Sequence, residues 1–249
     1  MPLASEQSPR LTEAWARWIV PFALTTLAYV AAGMAALLIA LPPGYASPLY
    51  PAAGIALASV LVYGWRMLGA AALGALIVNA TLAAARGQSD WRAFALPVVV
   101  GLAVALQAGA GRLLVQRMVR QPLVLTLPDD VARFVAACAV SSLIAPTLAT
   151  LALVAFGTVA VERSFVTWAT WWIGDLAGLL IAAPIALTLI GRPASEWAPR
   201  RVPLGVTLTL VTAFLAIGIV QVGRWNEERI RTVFSHDATS ASLILVTQL

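Results

Sequence analysis

Seven stretches of this chain are almost free of charge. Several exceed the roughly 18–20 residues that a helix needs to cross a hydrocarbon core of about 30 Å. That length restricts the fold more than any motif does. Apolar residues make up 61% of the chain and charged residues 11%, about half the charge that covers the surface of a soluble domain. Mean hydropathy is +0.88. The expected fold is all-α, a polytopic transmembrane helical bundle of about seven spans.

The apolar runs place those spans near residues 18–41, 52–63, 67–85, 94–115, 130–156, 165–190 and 204–222. The first ends on Leu41-Pro42-Pro43-Gly44, a stop signal. The second is short, with little room for tilt, and a partly re-entrant course is the alternative. Pro146 is expected to kink the fifth span and free a backbone carbonyl. Residues 1–17 read as a cytoplasmic N-terminal segment and 18–222 as the membrane domain. The first apolar run is too long for the core of a cleaved signal peptide, and no small-residue cleavage site follows it.

The net charge of +5 is carried by arginine alone, as the chain has no lysine. A pI near 10.3 could mark a nucleic-acid binder. Here the arginines sit at the ends of apolar runs, so they read as orientation signals and no nucleic-acid partner is expected. With the N-terminus in the cytoplasm, ten arginines fall inside (10, 17, 66, 112, 117, 120, 133, 192, 200 and 201) and three outside (86, 92 and 163). This is a positive-inside asymmetry. An odd number of spans then delivers residues 223–249 to the outer side. There Ile230, Phe234, Ala238, Ala241, Leu245 and Leu249 recur at helical spacing. Such a face needs a partner helix or a following domain, and we expect the natural polypeptide to continue past Leu249. A tail lying on the membrane surface is the alternative.

Cys138 is the single cysteine and His236 the single histidine. An internal disulfide, a cysteine cluster and a multi-histidine metal site are therefore outside the chain's reach. There is no phosphate loop, no paired catalytic carboxylates and no nucleophile–base set. Neither a cofactor nor enzyme activity is expected of these residues. Asp129 and Asp130 read as helix capping and first-turn charge.

Charge at mid-membrane costs several kcal/mol and asks for a reason. Asp175 is the main case, about ten residues into the sixth span. Trp171 and Trp172, four and three positions earlier, can place rings on the carboxylate's face, and Trp168 lies a turn further out. Gly174, Gly178 and Ala182 form a stripe that admits a close neighbour. Gln107 lies at similar depth in span four, and Asn79 in the outer half of span three. Two readings stay open. Asp175, Trp171, Trp172, Trp168, Gln107 and Asn79 could line a pocket for a small ligand, or Asp175, Gln107 and Asn79 could only hydrogen-bond one another across helices. The sequence is silent on whether Asp175 is charged.

The strings Pro51-Ala52-Ala53-Gly54-Ile55-Ala56-Leu57, Gly64-Trp65-Arg66, Leu73-Gly74 with Asn79, and Trp171-Trp172-Ile173-Gly174-Asp175 with Gly178 and Pro184 together resemble the bacterial membrane-associated sensor domain called MASE, the first type described. Asp130-Val131 and Phe134 resemble its span-five opening, and Gln107 is a departure, since an asparagine or similar amide is expected near that position. The segment from Phe234 to Leu249 resembles the opening helix of a periplasmic CHASE domain. The resemblance implies a sensory input domain in the inner membrane of a bacterium, with residues 223–249 on the periplasmic side. It would be part of a histidine kinase or cyclic-di-GMP enzyme whose catalytic part is carried further along the chain. A homodimer is expected, in contact with the lipid bilayer and with a small-molecule ligand. The rival classes are a small-molecule transporter, which would share a midplane polar site, and a plain dimerising anchor.

Overall fold

The computed structural model describes residues 8–40 and 47–221. They contain α1 (Ser8–Leu37), α2 (Pro51–Tyr63), α3 (Met67–Ala85), α4 (Arg92–Met118), α5 (Pro128–Ser141), α6 (Ile144–Ala155), α7 (Val161–Ile190) and the single turn α8 (Ala194–Trp197). A 3₁₀ turn (Ala198–Arg200) follows, and residues 201–221 are helical. No strand occurs among the described residues. The amphipathic tail and the CHASE-like segment lie outside them. Two compact units divide between Thr209 and Leu210.

Six stretches among the described residues are helical, long and apolar enough to cross a membrane: Arg17–Leu37, Met67–Ala85, Arg92–Met118, Pro128–Ala155, Val161–Ile190 and Ala194–Gln221. The seventh apolar helix, α2, has 13 residues and so spans about 20 Å. Pro51 starts it, where a missing N–H costs nothing. Gly64 ends it at φ 93°, a conformation that favours glycine.

The fifth apolar run is two helices rather than one kinked rod. Pro146 lacks an N–H, and its ring crowds the carbonyl four residues back, at Ser142. The interruption accordingly falls at Ser142-Leu143, ahead of the proline. At the run's start the aspartates do not cap. Leu127 occupies the cap position without a side-chain bond, while Asp129 and Asp130 lie in the first turn. Asp130 is buried, 3.9 Å from the Arg120 guanidinium.

α2 packs on α7, α1 and α4, and α3 packs on α1 and α4. The interior is unusually rich in alanine: Ala52, Ala56, Ala70, Ala71, Ala75, Ala103, Ala108, Ala145 and Ala149 lie in one buried cluster. Small side chains let helix backbones approach closely, which is how helices associate where water provides no hydrophobic drive. The outward faces are large and apolar, with Leu24, Leu102, Leu106, Leu151 and Phe165 all more than half exposed. In water such faces would be an aggregation hazard; against lipid they are at home.

Arginines finish several helix ends. Arg112 Nη1 donates to the Val60 carbonyl near the end of α2, and its guanidinium lies 5.1 Å from the Trp65 ring centroid. Arg201 Nε donates to Thr188 O at 2.8 Å, Arg200 Nη1 to Val124 O, and Trp197 Nε1 to Leu123 O at 3.0 Å. Of these acceptors, Thr188 O lies in the last turn of α7, where carbonyls lack an internal helical partner, whereas Leu123 O and Val124 O belong to the non-helical α4–α5 connection. The Arg201 bond ties the first turn of the 201–221 helix to the end of α7, and the Trp197 and Arg200 bonds tie the turn before it to the α4–α5 connection.

Candidate functional site

Asp175 is the fifteenth residue of the thirty in α7, about 20 Å from either end. It is 2% exposed. Gln107, buried near the middle of α4, donates from Nε2 to Asp175 Oδ2 at 2.7 Å. The same amide accepts from the Ala145 backbone N–H, at 3.1 Å to Oε1. That N–H belongs to the first turn of α6, where a helix has no internal partner to offer. The break in the fifth run thus creates an orphan donor, and Gln107 meets it. One side chain with both a donor and an acceptor links α6, α4 and α7.

The second oxygen, Asp175 Oδ1, is buried without a protein partner. Asp175 lines a cavity of about 30 Å³ together with Tyr29, Ser47, Tyr50, Asn79, Gln107 and Trp171. This has room for one or two waters and is far below the ~300 Å³ at which metabolite sites begin. A second cavity of about 20 Å³ lies toward the α3–α4 connection, lined by Arg86, Gln88, Arg92 and Leu153 among others. Asn79, Leu82, Val100 and Trp171 line both cavities. They form the wall between the Asp175 chamber and the connection bearing Arg86 and Arg92.

The glycine stripe of α7 is what brings a backbone this close. A Cβ on Gly174 would stand 2.0 Å from Ser47 O, and one on Gly178 would stand 1.9 Å from Tyr50 O. The non-helical residues Ser47–Tyr50 therefore lie directly across α7, fixed by Tyr50 N donating to Gly174 O at 3.0 Å. Irregular backbone at this depth is tolerated where it is covered by protein or lines a cavity, and here it does both. The stripe then receives α2 itself, whose Gly54 faces Gly178, Ala182 and Ala183.

The structure divides the residues singled out from sequence. Asp175, Gln107, Asn79 and Trp171 surround one cavity. Asn79 does not bond to the other two polar groups; its Nδ2 donates back to Ala75 O at 2.9 Å. Trp168 and Trp172 line neither cavity. They stack on each other, with ring centroids 5.7 Å apart, and Phe165 stacks on Trp168. Trp168 Nε1 donates to Thr147 Oγ1 at 3.0 Å. Successive positions on a helix diverge by about 100°, so Trp171 and Trp172 could not both face the chamber.

Sequence reasoning missed Tyr29, Tyr50 and Ser47. The two tyrosines meet edge to face at 6.2 Å. Glycines on neighbouring helices make room for both tyrosines, a pairing that only the tertiary structure reveals. A Cβ on Gly74 would strike Tyr29 at 2.8 Å, and one on Gly33 would reach the Tyr50 hydroxyl at 3.0 Å.

Among the described residues no group of three or more potential metal-ligating side chains occurs. Residues 20–225 match the MASE1 family, and the chain belongs to it. No curated protein and no solved structure matches the chain. MASE1 is a membrane-associated sensory domain and not a catalytic one.

Proposed function

We propose that this chain is the input domain of a bacterial signalling receptor of the inner membrane, either a histidine kinase or a cyclic-di-GMP enzyme. Its sensing end is the Asp175 chamber, and its transmitting end is the last span. The observation that carries this reading is the two-sided bond of Gln107, to Asp175 on α7 and to the first turn of α6.

An occupant that engages Asp175 Oδ1 competes for, or strengthens, the carboxylate's hold on Gln107. A change in that hold reaches the interrupted helix through the Ala145 N–H, and it reaches the end of α7 through the helix itself. From there the Arg201–Thr188 bond passes it to the last span, which acts with its counterpart in a homodimer. A ligand shifts such an equilibrium only through differential affinity for the two states. A stimulus larger than one or two waters must therefore open the chamber, and the Trp171–Asn79 wall is its route from the arginine-poor, periplasmic side.

Transport of a small molecule is the second reading, favoured by the interrupted α5–α6 and the short α2, since broken helices at mid-membrane build transporter sites. The test is native mass spectrometry of the detergent-purified protein, comparing wild type with Asp175→Asn and Trp171→Ala. A co-purifying small molecule lost in both variants supports the chamber as the sensing site. Uptake of that molecule into vesicles containing the wild type alone would support transport instead. An unoccupied wild type, combined with unchanged receptor output in Asp175→Asn, would leave the polar residues as structural glue.

A further inference from the structure

On the arginine-rich face, well away from Asp175, α1 and the α2–α3 connection enclose an open groove of about 580 Å³. Its walls are Arg17, Trp18 and Pro21 from α1, Tyr63 from the end of α2, and Trp65, Arg66 and Met67. No acidic side chain lines it among the described residues. Arg17 and Arg66 are exposed, and neither joins an ion pair with a described acid; those pairs are Arg92–Asp90, Arg120–Asp130 and Arg200–Glu196. Arg66 instead lies over the Trp18 ring, at 5.8 Å from the centroid. Stacking of this kind keeps a guanidinium oriented while leaving its N–H fork free.

We propose that this groove is a binding site for the phosphate headgroup of an anionic phospholipid. Three observations converge on that ligand. The first is the pair of guanidiniums that join no ion pair with a described acid, whose forks match phosphate oxygens. The second is the aromatic lining: Trp18, Tyr63 and Trp65 form an interfacial belt where ring bodies are apolar and edges polar. The third is continuity with lipid-facing surface, because Ile19, Val20 and Leu24 on α1 and Leu73 on α3 are all exposed and offer a track for acyl chains. Free phosphate would gain nothing from the rings or the aliphatic track. Basic pockets between spans are a general solution for holding such headgroups. Here the ligand would tie the N-terminal span to the α2–α3 turn.

The test uses the full chain in detergent with native mass spectrometry, titrating phosphatidylglycerol against phosphatidylcholine of identical acyl composition. Wild type is expected to retain phosphatidylglycerol in preference by about thirtyfold, from two arginine contacts. Arg66→Gln should lose part of that preference, and Arg17→Gln with Arg66→Gln nearly all of it. Arg163→Gln, an exposed arginine distant in sequence from the groove, should leave it unchanged. Equal retention of the two lipids by wild type would overturn the proposal. So would an undiminished preference in the double variant, or displacement of phosphatidylglycerol by millimolar inorganic phosphate, which would assign the groove to a soluble anion.

Discussion

Gln107 Nε2 lies 2.7 Å from Asp175 Oδ2, and this bond joins the middle of α4 to the middle of α7. Its weight comes from the other end of the amide, where Ala145 N–H donates to Oε1. Gln107→Leu leaves a backbone donor and a carboxylate oxygen unpaired in one step. Each orphaned group costs about 1–3 kcal/mol in a protein interior, whereas interhelical bonds in membranes average nearer 0.6 kcal/mol. Thermal unfolding in detergent should therefore show a loss of about 1–3 kcal/mol for Gln107→Leu. Asp175→Asn retains an acceptor for Nε2 and should lose less than about 1 kcal/mol.

Gly178→Ala should be far more damaging than its size suggests. The new methyl meets the Tyr50 carbonyl at 1.9 Å, a backbone atom with no rotamer to yield. Overpacking of this kind costs about 3 kcal/mol or more. Gly109→Ala is the control, because its nearest neighbour is a Trp65 ring carbon at 3.5 Å. Melting of the two variants side by side should separate them clearly.

The spans were legible and the site only half so, for reasons that differ by residue. Apolar runs locate α3 at 67–85 because Arg66 and Arg86 bracket it. The break at Ser142-Leu143 displaces the expected kink by a few residues, since proline acts on the carbonyl four positions earlier. Asp175 and Gln107 stand out because polarity at mid-membrane is costly. Ser47, Tyr29 and Tyr50 do not, since their place in the chamber depends on an extended segment meeting the α7 glycines. That is tertiary information, and no period within one helix encodes it. Trp168 and Trp172 mislead because their aromatic character says nothing about which neighbour they face.

Trp171→Ala should join the two small cavities into one. The indole is 9% exposed and lines both. The native Cys138 is buried and can be replaced by serine, leaving Asn79→Cys as a single reporter. Its modification by a small thiol reagent should be several-fold faster when Trp171→Ala is also present. An unchanged rate would mean the wall does not control access.

Trp197 is among the largest fully buried side chains and packs in a cluster with Val115, Val119, Leu123 and Leu187. Trp197→Ala should cost about 3–5 kcal/mol through the cavity it leaves. Trp197→Phe, which loses mainly the bond to Leu123 O, should cost about 1–2 kcal/mol. Chemical unfolding of the two variants checks the ratio.

The central claim is that Asp175 and Gln107 act as one unit that sets the position of α6 relative to the helix beginning at residue 201. Spin labels at the exposed positions Leu151 and Val206, in a Cys138→Ser background, report that distance by double electron–electron resonance in lipid nanodiscs. The account predicts that Asp175→Ala and Gln107→Leu, each of which removes the bond, both shift the distance distribution, and that the double variant moves it no further than the larger single, as coupled residues do. Distributions that superimpose on wild type in both single variants would contradict it.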